Sequence, residues 1–305
     1  MPTGPAFPLL PEPLPLEQFS GPLLVDPGPR LLGAVVEAYR EAAPTLVAPT
    51  VSDLASGDGE AAPSPDLPTL SVFAGESAID AATEGFRSAA RLAALLDAGV
   101  VDLRVIDAPQ PNPVLAGVRT GFALVEGKVN DKAGTAGWYR VGDDGSLRER
   151  YASRFADAEP YRLRTPSRRR VYEGFATRCD ESVAAAVVRT LDAPAAAASG
   201  GDDAAHSTGG GDGPGPESTR IRAYAAGARE GVLDRTLRRA CEDAGLGSPS
   251  TFTRVKRLLR EAELIETVSE SQPVGRPRDR LAARGALAAA ETPAETVAAV
   301  RGVGD

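Results

Sequence analysis

Short apolar runs alternate with helically spaced apolar residues along the first two thirds of the chain. The short runs predict strands at 23–26, 46–48, 69–73, 102–106 and 122–125. Helical spacing predicts helices at 30–41, 77–97 and 146–158, and Thr165-Pro166 predicts the N-cap and first residue of another that reaches residue 178. Strands that alternate with helices are typical of an α/β sheet with helices on its faces, so we expect an N-terminal α/β domain.

The pattern changes after residue 218. Two short helices are predicted at 219–229 and 232–244, followed by a glycine turn at 245–247. Ser248-Pro249 then predicts the start of a helix over 249–262, because serine caps helix N-termini and proline fits the first turn. Helical geometry places the apolar and the polar residues of this segment on opposite sides. The apolar side has Phe252, Val255, Leu259 and Ala262, and the polar side has Ser250, Thr253, Arg254 and Arg257. A strand at 264–268 and the basic turn Gly275-Arg276-Pro277-Arg278 follow.

This order of elements is that of a small C-terminal winged helix-turn-helix domain. In such domains the third helix enters the DNA major groove, and the hairpin loop reaches the backbone or the minor groove. Arginine binds guanine through two hydrogen bonds, and serine, threonine and the N–H groups of a helix start bind bases or phosphates. The predicted DNA contacts lie in recognition helix 249–262 and basic wing 273–280, at Ser250, Thr251, Thr253, Arg254, Lys256, Arg257, Arg260, Arg276 and Arg278. The alternative is a winged helix that contacts protein, with its arginines in solvent.

Composition divides the chain further. Residues 1–20 are proline-rich and are predicted to form a disordered tail, and 193–217 has almost no core-forming residues, which predicts a flexible Gly/Ala/Asp-rich linker. These limits place an α/β sensor or dimerisation domain at 21–192, the winged helix-turn-helix domain at 218–285 and a C-terminal tail at 286–305. A second disordered insert is predicted at 52–67.

Charge follows the same division. The chain has 34 basic and 42 acidic residues, with a net charge of −10 over 1–216, +4 over 217–285 and −2 over the rest. A cationic segment joined to an anionic body is typical of a nucleic-acid-binding module on a regulatory domain. Only three basic residues are lysines, and this acidity with heavy use of Ala, Arg, Asp and Gly indicates a salt-adapted organism.

Signatures of catalysis and of membranes are weak. Cys179 and Cys241 cannot form a zinc site, an iron–sulfur cluster or a disulfide framework, and the single histidine, His206, lies in the predicted linker. No apolar run approaches the ~20 residues that span a bilayer, and the start lacks a signal peptide. We expect a cytoplasmic protein that is not an enzyme and has no metal, cofactor or membrane partner. A redox role for the cysteines and an anion site at 168–170, as against a solvated face, stay open.

Three motifs of the C-terminal segment resemble haloarchaeal TbsP-like transcriptional regulators: 250–256 (STFTRVK), 264–267 (LIET) and 274–278 (VGRPR). The resemblance continues at 154–155, 157–161 and 163–166. It implies a sequence-specific DNA-binding regulator of metabolic genes, above all of sugar metabolism. Glu263 stands where the family usually has glycine, and Asp279 where it has an apolar wing residue, so this chain is expected to be a divergent member.

The expected partners are double-stranded DNA, a second copy of the chain and a small-molecule effector. The second copy is expected because one recognition helix reads only a few base pairs. The alternative function is a metabolite-binding or enzymatic α/β protein whose C-terminal segment mediates protein contact.

Overall fold

The computed structural model describes residues 6–7, 14–15, 19, 21–57, 67–129, 132–142, 145–194, 213–271 and 277–304. Backbone contacts divide the chain into two compact units. The sheet unit comprises Met1–Ala48, Asp58–Thr83 and Arg91–Leu163. The helical unit comprises Pro49–Gly57, Glu84–Ala90 and Arg164–Asp305.

A six-stranded mixed sheet forms the centre of the sheet unit, in the order β5-β4-β3-β6-β7-β8. Strands β3, β4 and β5 run parallel to one another, whereas β6, β7 and β8 join antiparallel. The strands are β3 (Leu23–Val25), β4 (Leu70–Ala74), β5 (Val101–Val105), β6 (Val114–Ala116), β7 (Gly121–Val129) and β8 (Lys132–Gly142). Strand β3 is buried throughout, as a strand covered on both faces should be.

Helices accompany the parallel strands, as the alternating pattern predicts. They are α1 (Pro29–Ala42), α2 (Pro44–Val47), α4 (Glu76–Ala82), α5 (Phe86–Asp97), whose residues fall in both units, and α6 (Ser146–Asp157). Leu31, Leu32, Val35 and Tyr39 of α1 recur at helical spacing and are all buried in the main core of this unit. The prediction of an α/β domain is therefore confirmed.

Several predicted elements differ in type or extent. Residues 46–48 are predicted as a strand, but Leu46 and Val47 belong to the one-turn helix α2 and Ala48 is its C-cap, because Pro44 fits a first helical turn. The single helix predicted over 77–97 is two helices, since Thr83 ends α4 and its hydroxyl donates to the carbonyl of Ile79 at 2.8 Å. Strand β6 was not predicted, as three apolar residues give too short a pattern.

Described residues within the predicted tail and insert have structure. Strands β1 (Ala6–Phe7) and β2 (Leu14–Pro15) pair antiparallel, and Phe19 is buried with its ring 5.7 Å from that of Phe122. Helix α3 (Val51–Ala55) overlaps the predicted insert, because Thr50 and Asp53 form a capping box at its start.

The helical unit contains a bundle and a two-stranded hairpin. Besides α3, its elements are α7 (Arg168–Arg178), α8 (Glu181–Asp192), α9 (Pro216–Arg229), α10 (Asp234–Asp243), α11 (Pro249–Glu261), β9 (Ile265–Glu270), β10 (Arg278–Ala283), α12 (Gly285–Ala289) and α13 (Pro293–Ala299). Helix α9 is the central element, with residues 221–228 all buried. The predicted helical domain after the α/β domain is confirmed.

The division between the units differs from the predicted linker at 193–217. Helices α7 and α8 share one hydrophobic core with α9, α10 and α11, so the helical unit resumes at Arg164. Helix α7 also begins later than predicted: Ser167 is the N-cap and Arg168 the first residue, in place of Thr165 and Pro166. Residues 195–212 of the predicted linker, including His206, lie outside the described residues.

The predicted C-terminal tail is partly helical. Leu287 of α12 is fully buried, and Val300, just after α13, is 5% exposed in the same core as α9. Thr292 caps α13 through a capping box with Glu295. Over the described residues, every helix falls short of the length and apolar character that crossing a membrane requires.

Candidate nucleic-acid interface

Helix α11 begins where the sequence predicts. The side chain of Ser248 accepts a hydrogen bond from the backbone N–H of Thr251 at 3.4 Å, and Pro249 occupies the first helical position. The hydroxyl of Ser250 lies 2.8 Å from that of Ser248, and Ser250 is exposed. The exposed start of this helix therefore presents hydroxyls and N–H groups, which suit an anionic ligand such as a DNA phosphate.

The inner face of α11 fixes its rotation. Phe252, Val255 and Leu259 are fully buried, and the ring of Phe252 stacks on that of Tyr224 at a centroid distance of 5.9 Å. Burial of three such side chains stabilises this rotation by roughly 1.5–3 kcal/mol each. The fourth residue of the predicted apolar stripe, Ala262, lies after the helix end and is exposed, so its predicted burial is wrong.

The outer face of α11 carries most of the predicted DNA-contacting side chains. Arg257 and Arg260 are exposed, as is Thr253, whose hydroxyl donates to the carbonyl of Pro249 at 3.0 Å. Thr251 is half-buried at the first turn. Arg257 has one acidic neighbour, Glu261, at 3.7 Å, and 67% of its side chain is exposed.

Arg254 is held by a carboxylate of another helix. Its Nη2 donates to Oε1 of Glu217, in the first turn of α9, at 2.6 Å. The two side chains are 48% and 41% exposed, so the ion pair lies at the surface. Exposed pairs of this kind contribute about 0–1 kcal/mol, so a DNA phosphate or base can replace Glu217 as the partner of Arg254.

Lys256 is placed differently from the prediction. Its ammonium lies 3.1 Å from Oδ2 of Asp234, and only 17% of its side chain is exposed. Asp234 also accepts hydrogen bonds from Tyr224 at 2.5 Å and from Arg238 at 2.8 Å. Lys256 therefore connects α11 with α10 inside the unit, and its position does not suit a DNA contact.

The acidic residue at the centre of this network is ionised. Burial alone would raise the pKa of Asp234, but hydrogen bonds from Tyr224 and Lys256 outweigh burial and hold the pKa below its usual value. The bonds from Tyr224 of α9 and Lys256 of α11 to this carboxylate join both helices to α10.

Sequence reasoning missed two arginines of α10. Arg235 and Arg238 line a cavity of about 440 Å³ together with Arg278 of the hairpin. Arg238 also donates to the hydroxyl of Thr253 at 3.4 Å, which connects this cavity with the outer face of α11. The sequence signal that could have found them is the polar side of the helix predicted at 232–244.

Strands β9 and β10 form an antiparallel hairpin in which Arg278 lies opposite Glu270. Arg278 is exposed, whereas Arg276 and the rest of 272–276 lie outside the described residues. Asp279 is exposed opposite Ser269, and the fully buried Leu281 packs the hairpin into the core. The position occupied by Asp279 therefore needs no apolar side chain.

The turn after α11 keeps the backbone conformation that glycine favours. Glu263 has φ +56°, in the left-handed region, where a non-glycine residue costs roughly 1 kcal/mol. Glu263 therefore adopts in this turn the conformation for which glycine is favoured.

Two alternatives that the sequence leaves open concern the arginines at 168–170 and the two cysteines. Arg168 forms an ion pair with Asp192 at 2.5 Å, with 16% of its side chain exposed. Arg170 is exposed, so the anion site at 168–170 stays a prediction. Burial raises the pKa of Cys179 to about 11, and the pKa of the fully buried Cys241 also lies well above its usual value. Both thiols are therefore protonated at neutral pH, which disfavours a redox role.

Comparison with known proteins identifies two matching family models. Residues 34–166 match the N-terminal domain of TbsP-like transcriptional regulators. Residues 167–301 match the C-terminal HTH domain of the same regulators. The border between the two models agrees with the border of the units at Leu163. The curated proteins and the solved structures gave no match.

Proposed function

Because the chain belongs to the TbsP-like family of transcriptional regulators, we propose that it binds specific DNA sequences through α11 and the β9–β10 hairpin. Helix α11 enters the major groove, and the hairpin acts as a wing on the neighbouring backbone or minor groove. The rotation of α11 carries this proposal, because three buried apolar residues keep its arginines on the outer face.

The roles within the interface follow from position. Arg254 and Arg257, near the middle of the exposed face, read base edges, and Ser250 and Thr251 hold a phosphate at the helix start. Arg260, together with Arg278 of the wing, contacts the DNA backbone. Arg235 and Arg238 extend the cationic surface between helix and wing, which supports a continuous DNA path.

The regulator acts as a homodimer on paired half-sites. The sheet unit offers a surface for a second copy, since β8 is the terminal strand of the sheet. Tyr139 and Val141 of β8 are 60% and 54% exposed, and Val125 of β7 is 40% exposed on the same face. A terminal strand has backbone N–H and C=O groups on its outer edge that can pair with a strand of another chain. The same strand of a second, symmetry-related copy can supply that pairing.

The remaining parts of the proposal concern regulation. The target genes are metabolic genes, above all those of sugar metabolism. The sheet unit senses a small molecule. Its cavity of about 360 Å³, lined by Gln110, Arg150 and Tyr151 among others, is large enough for a metabolite. We propose a cytoplasmic, non-enzymatic protein of a salt-adapted archaeon, in keeping with the acidic composition.

Occupancy mapping on the genome, in cells grown with and without sugar, identifies the target sequences and their response. Mobility-shift titration with one target then tests the interface. Arg254→Ala and Arg257→Ala are each expected to lower specific affinity by about 1–3 kcal/mol, or roughly 5- to 150-fold. Arg189→Ala, at an exposed arginine of α8, is the matched control and should leave affinity unchanged.

The alternative is that the helical unit contacts protein. The ion pair of Arg254 with Glu217 favours it, because this arginine is already partnered without DNA. If both arginine variants bind DNA as the wild type does, the DNA-binding proposal is rejected in favour of protein contact.

A further inference from the structure

A second cavity lies within the helical unit. It has a volume of about 350 Å³ and lies between the start of α9 and the C-terminal segment. Its walls combine the apolar side chains of Ile221, Val297 and Val300 with the polar side chains of Glu217, Ser218 and two arginines, Arg222 and Arg301.

Arg222 is the unusual member of this lining. It is 5% exposed, and its Nη1 donates to the carbonyl of Ala193 at 3.0 Å. Among the residues that the structure describes, no carboxylate lies within ion-pair distance of its guanidinium. Burial, with smaller contributions from Arg87 and Arg301, lowers its pKa. A buried guanidinium such as that of Arg222 is unfavourable unless an anion neutralises it.

The chemistry of the lining indicates which kind of anion would neutralise Arg222. Two guanidiniums and a hydroxyl are among the groups that line the cavity, and guanidinium donors match the tetrahedral oxygens of phosphate. We propose that this cavity binds a phosphate group of a small molecule, held by Arg222, Arg301 and Ser218.

The same cavity has a direct connection to the DNA-binding helix. Glu217 lines the cavity and accepts the 2.6 Å hydrogen bond from Arg254. When DNA takes Arg254, the released carboxylate of Glu217 can turn to Arg222 and Arg301 only if the cavity is empty. A bound phosphate blocks that alternative, so phosphate and DNA oppose each other. This regulatory half rests on the proposed DNA-binding function, whereas phosphate binding does not.

Calorimetric titration of the full-length protein with inorganic phosphate, without DNA and at fixed ionic strength, tests the site itself. Saturable binding that Arg301→Gln weakens by about tenfold or more is expected, since a charge-assisted hydrogen bond is lost. Arg189→Gln is the matched control and should bind as the wild type does. Absence of saturable binding, or equal binding of succinate, overturns the phosphate assignment.

The coupling is tested separately by mobility shift with and without phosphate, with chloride at equal ionic strength as control. Phosphate is expected to weaken DNA binding by about fivefold or more, and DNA to weaken phosphate binding by the same factor. Glu217→Gln should bind phosphate but lose the coupling, whereas Arg301→Gln should bind DNA without responding to phosphate. A phosphate effect that persists unchanged in Arg301→Gln overturns the coupling. If the protein does not bind DNA even without phosphate, the proposed DNA-binding function is rejected, whereas the phosphate site is not affected.

Discussion

The ammonium of Lys256 lies 3.1 Å from Oδ2 of Asp234, so a lysine of the candidate recognition helix is engaged inside the domain. Its neighbours on the same helix, Arg254 and Arg257, are 48% and 67% exposed. Basic residues one or two positions apart along the sequence therefore serve different purposes. One secures the helix against α10, and the other two remain accessible to DNA.

Replacement of Lys256 should reduce stability more than it reduces DNA affinity. Lys256→Met leaves the buried carboxylate of Asp234 with one hydrogen bond fewer, which costs about 1–3 kcal/mol. Arg257→Met, at an exposed site, is expected to change stability by less than about 0.5 kcal/mol. Urea unfolding measures both. A stable Lys256→Met protein with strongly reduced DNA affinity would instead identify Lys256 as a DNA contact.

The same network predicts a loss of stability in acid. Because the folded-state pKa of Asp234 lies below its usual value, the carboxylate stabilises the fold above the unfolded-state pKa of ~3.9. That contribution is lost as the pH falls through the folded-state pKa. The free energy of unfolding should therefore differ between wild type and Asp234→Asn at about pH 6, and the difference should shrink below about pH 4. A pH-independent difference contradicts this assignment.

Thiol reactivity offers a third prediction. With a pKa of about 11 in place of 9.0, the thiolate fraction of Cys179 at pH 8 falls by about 100-fold. Alkylation by iodoacetamide should therefore be slower than in urea-unfolded protein by at least that factor. The Cys241→Ala variant isolates Cys179, and mass spectrometry follows the modification. Rapid alkylation of the folded protein would reopen the redox alternative.

Local signals predicted the core of the interface well. Ser248 and Pro249 define the start of α11 through their own backbone preferences, and Phe252, Val255 and Leu259 define its inner face through spacing alone. Neither signal depends on distant parts of the chain. The outward direction of Arg254 and Arg257 follows from the same spacing, and the structure confirms it.

Features that depend on tertiary partners were not predictable. The position of Lys256 depends on Asp234, which is 22 positions away and reaches it only after α10 packs on α11. The assignment of α7 and α8 to the helical unit likewise depends on long-range packing against α9, which the intervening linker composition conceals. Thr165 and Ser167 both suit an N-cap, and only the folded chain selects Ser167.

The wing provides the last prediction, through the salt dependence of DNA binding. Each phosphate that a cation neutralises contributes about −0.9 to the slope of log affinity against log salt. Arg278 is exposed on the strand that follows the hairpin loop, so Arg278→Ala should make the slope shallower by about one while lowering affinity for all sequences alike.

Arg254→Ala should lower affinity for the specific sequence more than for other sequences and should change the salt slope little. The reason is that a base contact contributes sequence discrimination more than salt dependence. Mobility shifts of a specific and a scrambled duplex, each over a series of salt concentrations, separate the two effects, with Arg189→Ala as the control. If four phosphates are neutralised, affinity falls roughly 4000-fold per tenfold rise in salt. Binding in molar salt must then depend on base contacts and on the spacing of the proposed dimer, so a slope that stays steep between about 1 and 3 M salt contradicts this account.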